Sequence, residues 1–161
     1  MEKISAPELP ENPGALPAVL FGGLLAGALD LTAACVNSGL NGVRPMRVMQ
    51  AIASGLLGAE SYAGGAATAA LGVFLHFVIA FGATVVFYLA SRRLKIMTNQ
   101  AVASGMLYGI AVYLFMSFVV LPLSSFTGKP PSAILPIAVG LFIHILFVGL
   151  PIALVVRRFA K

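Results

Sequence analysis

Three side chains of this sequence have proton or metal chemistry, and all three stand inside long apolar runs. His76 ends the phrase GVFLH and His144 ends the phrase GLFIH, each four residues after a glycine. Asp30 follows the glycine-rich stretch GGLLAGAL. Imidazole exchanges protons near neutral pH and ligates haem and metals, whereas a carboxylate in an apolar run must be paired, protonated or hydrated. What these groups do therefore depends on the elements that hold them.

The composition indicates a membrane protein. Of the 161 residues, 60% are hydrophobic and only 9% are charged, whereas soluble domains carry about 25% charged residues. The net charge of +5 comes from basic residues that lie mostly at the ends of apolar runs, where they anchor helices. We therefore expect the lipid bilayer as a partner and no nucleic acid. Cys35 is the single cysteine, so no internal disulfide is expected.

Four apolar runs are each long enough to cross a bilayer core about 30 Å thick, which takes about 20 residues of helix. They cover residues 15–36, 66–90, 100–121 and 133–156. The runs do not alternate as barrel strands do, and backbone groups in lipid must be bonded internally, so each run predicts a helix. The expected fold class is all-α: one polytopic domain over 15–161, preceded by a polar N-terminal tail at 1–14.

The basic residues predict how the chain crosses the membrane. Seven of the ten Lys and Arg residues fall on the side that holds both termini and the loop between the second and third spans. By the positive-inside rule, both termini lie in the cytoplasm and the loop between the first two spans faces outward. The seven are Lys3, Arg92, Arg93, Lys95, Arg157, Arg158 and Lys161; the other three are Arg44, Arg47 and Lys129.

The outward loop contains a candidate helix at about 45–61. Pro45 suits the first helical position, and the residues after it divide into an apolar and a polar face. The apolar face holds Val48, Met49, Ile52, Leu56 and Ala59, and the polar face holds Arg47, Gln50, Ser54 and Ser61. The segment is too short and too polar to span, so it predicts an interfacial or re-entrant helix. Such a helix either seals the bundle or covers a pore or binding site.

The two histidine phrases belong to a predicted internal repeat. GLLAG at 23–27 corresponds to GMLYG at 105–109, and GVFLH at 72–76 corresponds to GLFIH at 140–144. The sequence therefore predicts two parallel helical hairpins in tandem, the first carrying the outward insertion. Small residues mark close helix packing in membranes, so glycines of these phrases are expected at helix contacts. They are Gly23, Gly27, Gly72, Gly105, Gly109 and Gly140.

A polar cluster is expected in the interior of the bundle. Its members are Asp30, His76, His144, Tyr108 and Tyr113. Asp30 and His76 fall at similar depths, so a hydrogen bond between them is predicted. The span that carries His144 also contains Pro151, which is expected to kink the helix and act as a hinge.

Four interpretations of this cluster are open. The groups can be structural, pinning the packing of the helices. They can form a proton or ion path, as intramembrane Asp and His do in transporters. His76 and His144 can be the axial ligands of a haem b within a four-helix bundle. Finally, both histidines together with Asp30 can bind a transition metal.

The favoured hypothesis is a small channel or transporter-like protein that handles protons or ions, without enzymatic activity, cofactor or resident metal. No HExxH, CxxC or phosphate-binding glycine loop indicates an enzyme. The alternatives are a structural or accessory membrane subunit and, second, a bis-His haem b electron-transfer protein. Four short helices leave little room for a proton or ion pathway within a single chain, so a homo-oligomer or a place in a larger membrane complex is expected.

Gly72 to Phe159 combines several features that occur together elsewhere. They are a histidine in the second span, the glycines of GMLYG opening the third, a proline closing it, and a Gly–His helix ending in Arg-Arg. This combination resembles small, largely uncharacterised bacterial inner-membrane proteins, among them the YagU-like family, which has been linked to acid resistance. The resemblance implies a bacterial inner-membrane protein and a role under pH stress.

Overall fold

The computed structural model describes residues 14–128 and 133–159. These residues form helices and connecting turns, without a strand among them. The helices are α1 (Ala15–Leu40), α2 (Pro45–Leu57), α3 (Gly65–Arg93), α4 (Ala101–Leu123) and α5 (Ile134–Phe159). All of them except α2 are long and apolar enough to span a membrane. The protein is therefore an all-α, multi-pass membrane protein; the predicted polar tail, apart from Gly14, lies outside the described residues.

The observed spanning helices run beyond the predicted apolar runs. α1 ends at Leu40 rather than at 36, and α3 ends at Arg93 rather than at 90. The extra turns contain polar side chains such as Asn37, which the headgroup region on either side of the hydrocarbon core accommodates. A 3₁₀ turn at Gly58–Tyr62 follows α2, and a one-turn helix at Ile96–Asn99 connects α3 to α4.

The two ends of the helical bundle differ in charge. At one end, Phe21 near the start of α1 stacks on Phe159 at the end of α5, with ring centroids 5.8 Å apart. We call this the basic end, because α3 and α5 both finish here in paired arginines. The opposite end, where α1 finishes and α3 begins, is the α2 end. Lys3, Lys129 and Lys161 lie outside the described residues.

The spanning helices pack in the order α3, α1, α5, α4. α1 contacts both α3 and α5, and α5 contacts α4 along most of its length. Phe87, Ile152 and Val156 are fully buried where α3 and α5 meet towards the basic end. Between α3 and α4 an apolar groove of about 540 Å³ remains. The bundle is therefore closed along α1 and α5 and open between α3 and α4.

Large apolar side chains cover the outer surface of the spanning helices. Leu107 is 68% exposed, Phe118 is 74% exposed and Ile134 is 88% exposed. Soluble monomers rarely present contiguous apolar surface of this extent, because water solvates it poorly. Lipid tails solvate such side chains as well as the protein interior does. The surface therefore agrees with immersion in a bilayer.

α2 packs across α3 with Gln50 and Ser54 of its polar face inward, while Arg47 of the same face is exposed. Gln50 is 3% exposed, and Ser54 and Ser61 are fully buried, whereas the apolar Leu56 is 62% exposed. The close approach depends on Gly72 of α3, because a Cβ there would collide with the carbonyl of Met49. A helix resting on the protein from the water side would bury its apolar face instead. The observed orientation suits a helix whose outer face meets lipid.

Candidate functional site

Asp30 on α1 and His76 on α3 lie side by side within the spanning region. About 15 Å of α1 separates Asp30 from Leu40, and about 17 Å of α3 separates His76 from Gly65, at 1.5 Å per residue. The His76 Nε2 atom is 4.0 Å from Asp30 Oδ2, and the two side chains are 13% and 18% exposed. A carboxyl group and an imidazole therefore meet deep between two helices, largely shielded by protein.

The hydrogen bond of His76 goes to the backbone of α1 and not to Asp30. His76 Nε2 lies 2.9 Å from the carbonyl oxygen of Gly27, whereas the 4.0 Å to Asp30 is too long for a hydrogen bond. The predicted Asp30–His76 hydrogen bond is therefore wrong. Because a carbonyl only accepts, this bond requires the tautomer in which Nε2 carries the proton and donates.

Gly27 brings α1 close enough to α3 for this bond. A Cβ at Gly27 would lie 2.8 Å from Cδ1 of the Phe77 ring and 3.2 Å from Cβ of Ala80. The absence of a side chain thus allows the ring of Phe77 to seat against α1, and His76 comes within reach of the Gly27 carbonyl. The sequence marks Gly27 for packing but not as a hydrogen-bond acceptor, because a backbone carbonyl carries no residue-type signal.

The carboxylate of Asp30 receives no hydrogen bond from a side chain in the described part of the chain. Thr32, the next polar residue of α1, donates to the carbonyl of Ala28 at 2.7 Å instead. An ionised carboxylate in the span costs about 2.5–3.5 kcal/mol on insertion scales. Asp30 therefore gains from taking up a proton, from hydration, or from an imidazolium at His76.

His144 lies in a different environment on α5. Its Nδ1 donates to the carbonyl of Gly140 in the same helix at 2.9 Å. The Tyr113 ring approaches the imidazole edge-on, with centroids 5.3 Å apart. This ring sits over Gly140, where a Cβ would lie 2.6 Å from Tyr113 Cε2. His144 and Tyr113 thus form an aromatic contact in which no carboxylate takes part.

Tyr108 of α4 forms a third, separate contact. Its hydroxyl donates to the carbonyl of Ala83 on α3 at 2.6 Å, and its ring meets Phe87 edge-on at 5.0 Å. Tyr108 also lines the apolar groove between α3 and α4. The five side chains expected in one cluster therefore occupy three places: the Asp30–His76 pair, the Tyr113–His144 contact and the Tyr108 link.

Ligation of a haem by His76 and His144 would require a free nitrogen on each ring. Nε2 of His76 and Nδ1 of His144 already donate to backbone carbonyls. Nδ1 of His76 and Nε2 of His144 would then have to face the iron, or the two rings would have to give up their hydrogen bonds to the backbone. Haem ligation stays a prediction. Among the described residues, no three His, Cys, Asp or Glu side chains are grouped to hold a metal ion, so they do not form the two-His-one-Asp site.

α4 and α5 approach each other through glycines at the level of backbone atoms. A Cβ at Gly109 would lie 2.5 Å from the carbonyl oxygen of His144 and 2.7 Å from Cα of Ile145. One turn away, Gly149 faces the backbone of Gly105, and a Cβ at Gly149 would collide with it. Gly149 was not singled out from the sequence, although it lies four residues after Ile145 on the same helix face.

The glycine contacts have the same register in both hairpins. Gly23 meets Phe81 and Gly27 meets Phe77 in the first hairpin; Gly105 meets Gly149 and Gly109 meets Ile145 in the second. In the proposed repeat, Phe77 corresponds to Ile145 and Phe81 corresponds to Gly149. This shared register is what a duplicated hairpin requires, and the duplication itself stays a prediction.

Two π-helical segments interrupt α4 and α5, each just before a proline. They are Met116–Val120, ahead of Pro122, and His144–Gly149, ahead of Pro151. Proline lacks an N–H, and its ring clashes with the carbonyl four residues earlier, so a widened turn relieves the conflict. The expected distortion at Pro151 thus takes the form of a π segment that begins at His144, and its role as a hinge stays a prediction. Pro122, the proline that closes the third span, carried the same signal, but no distortion was predicted there.

Comparisons with protein-family models, with curated proteins and with solved structures find no significant match for this chain. The site is therefore interpreted from its own geometry. That geometry sets Asp30 and His76 apart: within the described residues they are the carboxylate and the imidazole that lie closest together.

Proposed function

We propose that the protein is a small, non-enzymatic channel or transporter-like membrane protein that handles protons or ions, with Asp30 and His76 as its titrating pair. The 4.0 Å approach of the carboxylate to the imidazole, both largely shielded from the surface, carries the proposal. Ionisable side chains inside a membrane are costly, and they commonly mark ion pathways and proton relays.

The geometry of the pair suits proton exchange. At 4.0 Å, a small rotation of the ring or one bridging water joins Asp30 to His76. The Gly27 carbonyl holds the Nε2–H of the imidazole next to Asp30, while Nδ1 remains available for a second proton. An imidazolium beside a carboxylate is a neutral pair overall, which lowers the cost of charge in the bilayer.

A structural or accessory membrane subunit is the alternative function, and the interhelical hydrogen bonds favour it. His76 bonds the backbone of α1, and Tyr108 bonds the backbone of α3. Bonds of this kind between membrane helices average about 0.6 kcal/mol each. On this alternative the polar side chains specify packing and no proton moves.

The proposal includes location and assembly. A bacterial inner membrane, with the basic end in the cytoplasm, is supported by the paired arginines of α3 and α5 and by the resemblance to YagU-like proteins. A homo-oligomer or a larger membrane complex is supported by the open side of the bundle between α3 and α4.

Proton flux into liposomes with an entrapped pH indicator tests the proposal. Asp30→Asn keeps the size of the side chain and removes its charge. His76→Gln keeps an N–H donor for the Gly27 carbonyl and removes the titrating ring. Thr84→Val is the matched control on α3, because the buried Thr84 hydroxyl bonds only the Ala80 carbonyl of its own helix.

We expect Asp30→Asn and His76→Gln each to reduce the flux by at least about tenfold without lowering the melting temperature. Thr84→Val is expected to retain the wild-type flux. If wild-type flux equals that of protein-free liposomes, or if both isosteric variants conduct like wild type, the transport proposal fails. The structural alternative would then remain.

A further inference from the structure

A second candidate site lies at the α2 end, separate from Asp30 and His76. It is a cavity of about 840 Å³ bounded by the turn between α1 and α2, the first turns of α2 and the start of α3. We call it the α2 cavity. Its polar lining comes from Arg44, Arg47, Gln50 and Tyr62.

Arg47 is held in place at the wall of the α2 cavity. Its guanidinium lies over the Tyr62 ring, 4.6 Å from the centroid, and Nη1 donates to the Tyr62 carbonyl at 3.2 Å. Gln50 contacts the same Nη1 at 3.5 Å and is itself fixed by donating to the Gly65 carbonyl at 3.0 Å. These contacts leave the donors on Nε and Nη2 of Arg47 for a ligand. The side chain therefore needs little reorganisation to bind one.

The two arginines of the α2 cavity lack an acidic partner in the described part of the chain. No described carboxylate oxygen lies within 4.0 Å of either guanidinium, and the Arg44 side chain makes no hydrogen bond or ion pair with a described residue. Two guanidinium groups that line one cavity give it a positive charge, which favours an anion as its ligand. Guanidinium groups pair best with planar or tetrahedral oxyanions, through two parallel hydrogen bonds.

We propose that the α2 cavity binds a phosphate group, with Arg44 and Arg47 as its ligands, and that the phosphate belongs to the headgroup of an anionic phospholipid. The cavity lies where α1 ends and α3 begins, which is the depth of the headgroups. Beside it, Leu40, Val43 and Met46 are 84%, 41% and 48% exposed. These apolar side chains suit contact with the glycerol and acyl parts of a lipid.

Thermal unfolding of the full-length protein, followed by circular dichroism in zwitterionic micelles, tests this site. The additives are phosphatidylglycerol, inorganic phosphate and, as the uncharged reference, phosphatidylcholine. The variants are Arg44→Gln and Arg47→Gln, with Arg93→Gln at the basic end as the matched control for loss of one positive charge. Arg44→Gln decides the outcome, because Arg44 has no described partner whose loss would disturb the fold.

We expect phosphatidylglycerol to raise the melting temperature of wild type and of Arg93→Gln. In Arg44→Gln and Arg47→Gln the shift is expected to correspond to an affinity weaker by about tenfold. A shift with inorganic phosphate alone would support the phosphate site and assign it to soluble phosphate compounds. The proposal is overturned if neither additive shifts the wild type, or if Arg44→Gln responds as strongly as Arg93→Gln. Neither result bears on proton flux through Asp30 and His76.

Discussion

Replacing Gly109 by alanine should push α4 and α5 apart. A Cβ at position 109 would lie 2.5 Å from the His144 carbonyl oxygen and 2.7 Å from Cα of Ile145. Both are backbone atoms, so no side-chain rotation relieves the clash, and the helices must part by about 1 Å to restore contacts of about 3.5 Å. Overpacking of this kind costs about 1–3 kcal/mol. Gly109→Ala is therefore expected to lower the free energy of unfolding by that amount.

Two further glycines give matched controls for this prediction. In Gly27→Ala the new Cβ meets the Phe77 ring, a side chain that can rotate away, and the Ala80 Cβ at 3.2 Å has to give only a few tenths of an ångström, so a smaller loss is expected. In Gly82→Ala the new Cβ meets nothing within 4 Å, and the better helix propensity of alanine should leave stability unchanged or raise it by up to about 1 kcal/mol. Titration with dodecyl sulfate in mixed micelles, followed by far-UV circular dichroism, measures all three. A Gly109→Ala protein as stable as Gly82→Ala would refute the close approach of α4 and α5.

Two other substitutions test the polar contacts by the same titration. Gln50→Leu removes the donor to the Gly65 carbonyl inside the α2–α3 contact and should lower the free energy of unfolding by about 1–3 kcal/mol. The control is Gln100→Leu at an exposed position, and equal losses in the two variants would show that α2 is not held by Gln50. Tyr108→Phe removes the hydroxyl that bonds the backbone of α3 and should cost about 0.6 kcal/mol. Thr32→Val removes a hydroxyl that bonds only its own helix, so it should cost less, and the reverse order would contradict the interhelical bond.

The membrane architecture could be predicted because a run of about 20 apolar residues has few stable conformations in lipid. The ends of the helices could not. α1 continues to Leu40 and α3 to Arg93, since headgroups tolerate polar side chains and the helical hydrogen bonds continue through them. Hydropathy indicates where lipid contact ends, whereas the end of a helix is set by where its backbone hydrogen bonds end.

The orientation of α2 shows what periodicity leaves open. The pattern after Pro45 separates an apolar from a polar face, but it does not say what each face meets. Gln50 and Ser54 are buried against the protein while Leu56 is exposed, an orientation that suits a helix whose outer face meets lipid. Gly72, which was expected at a helix contact, lies against α2, where it admits the Met49 carbonyl.

The two members of the Asp30–His76 pair could be predicted from residue types, and their hydrogen-bond partners could not. Asp30 and His76 were singled out because both are costly in lipid. The acceptor of the His76 hydrogen bond is the Gly27 carbonyl. A backbone carbonyl cannot be predicted as a partner from residue types, because every residue has one. His144 was grouped with His76 by the repeat, in which Asp30 of the first half corresponds to Val112 of the second. The His144 ring bonds the carbonyl of Gly140 in its own helix.

Asp30 is proposed to change its protonation state inside the membrane beside His76, and infrared difference spectroscopy in liposomes tests this most directly. Asp30 is the one aspartate of the chain, so its carboxyl stretching band is identified as the band that is absent in Asp30→Asn. We predict that this band appears and disappears reversibly as the pH is cycled, and that His76→Gln alters its titration. A band that stays constant over the whole pH range, or one indifferent to His76→Gln, would contradict the titrating pair.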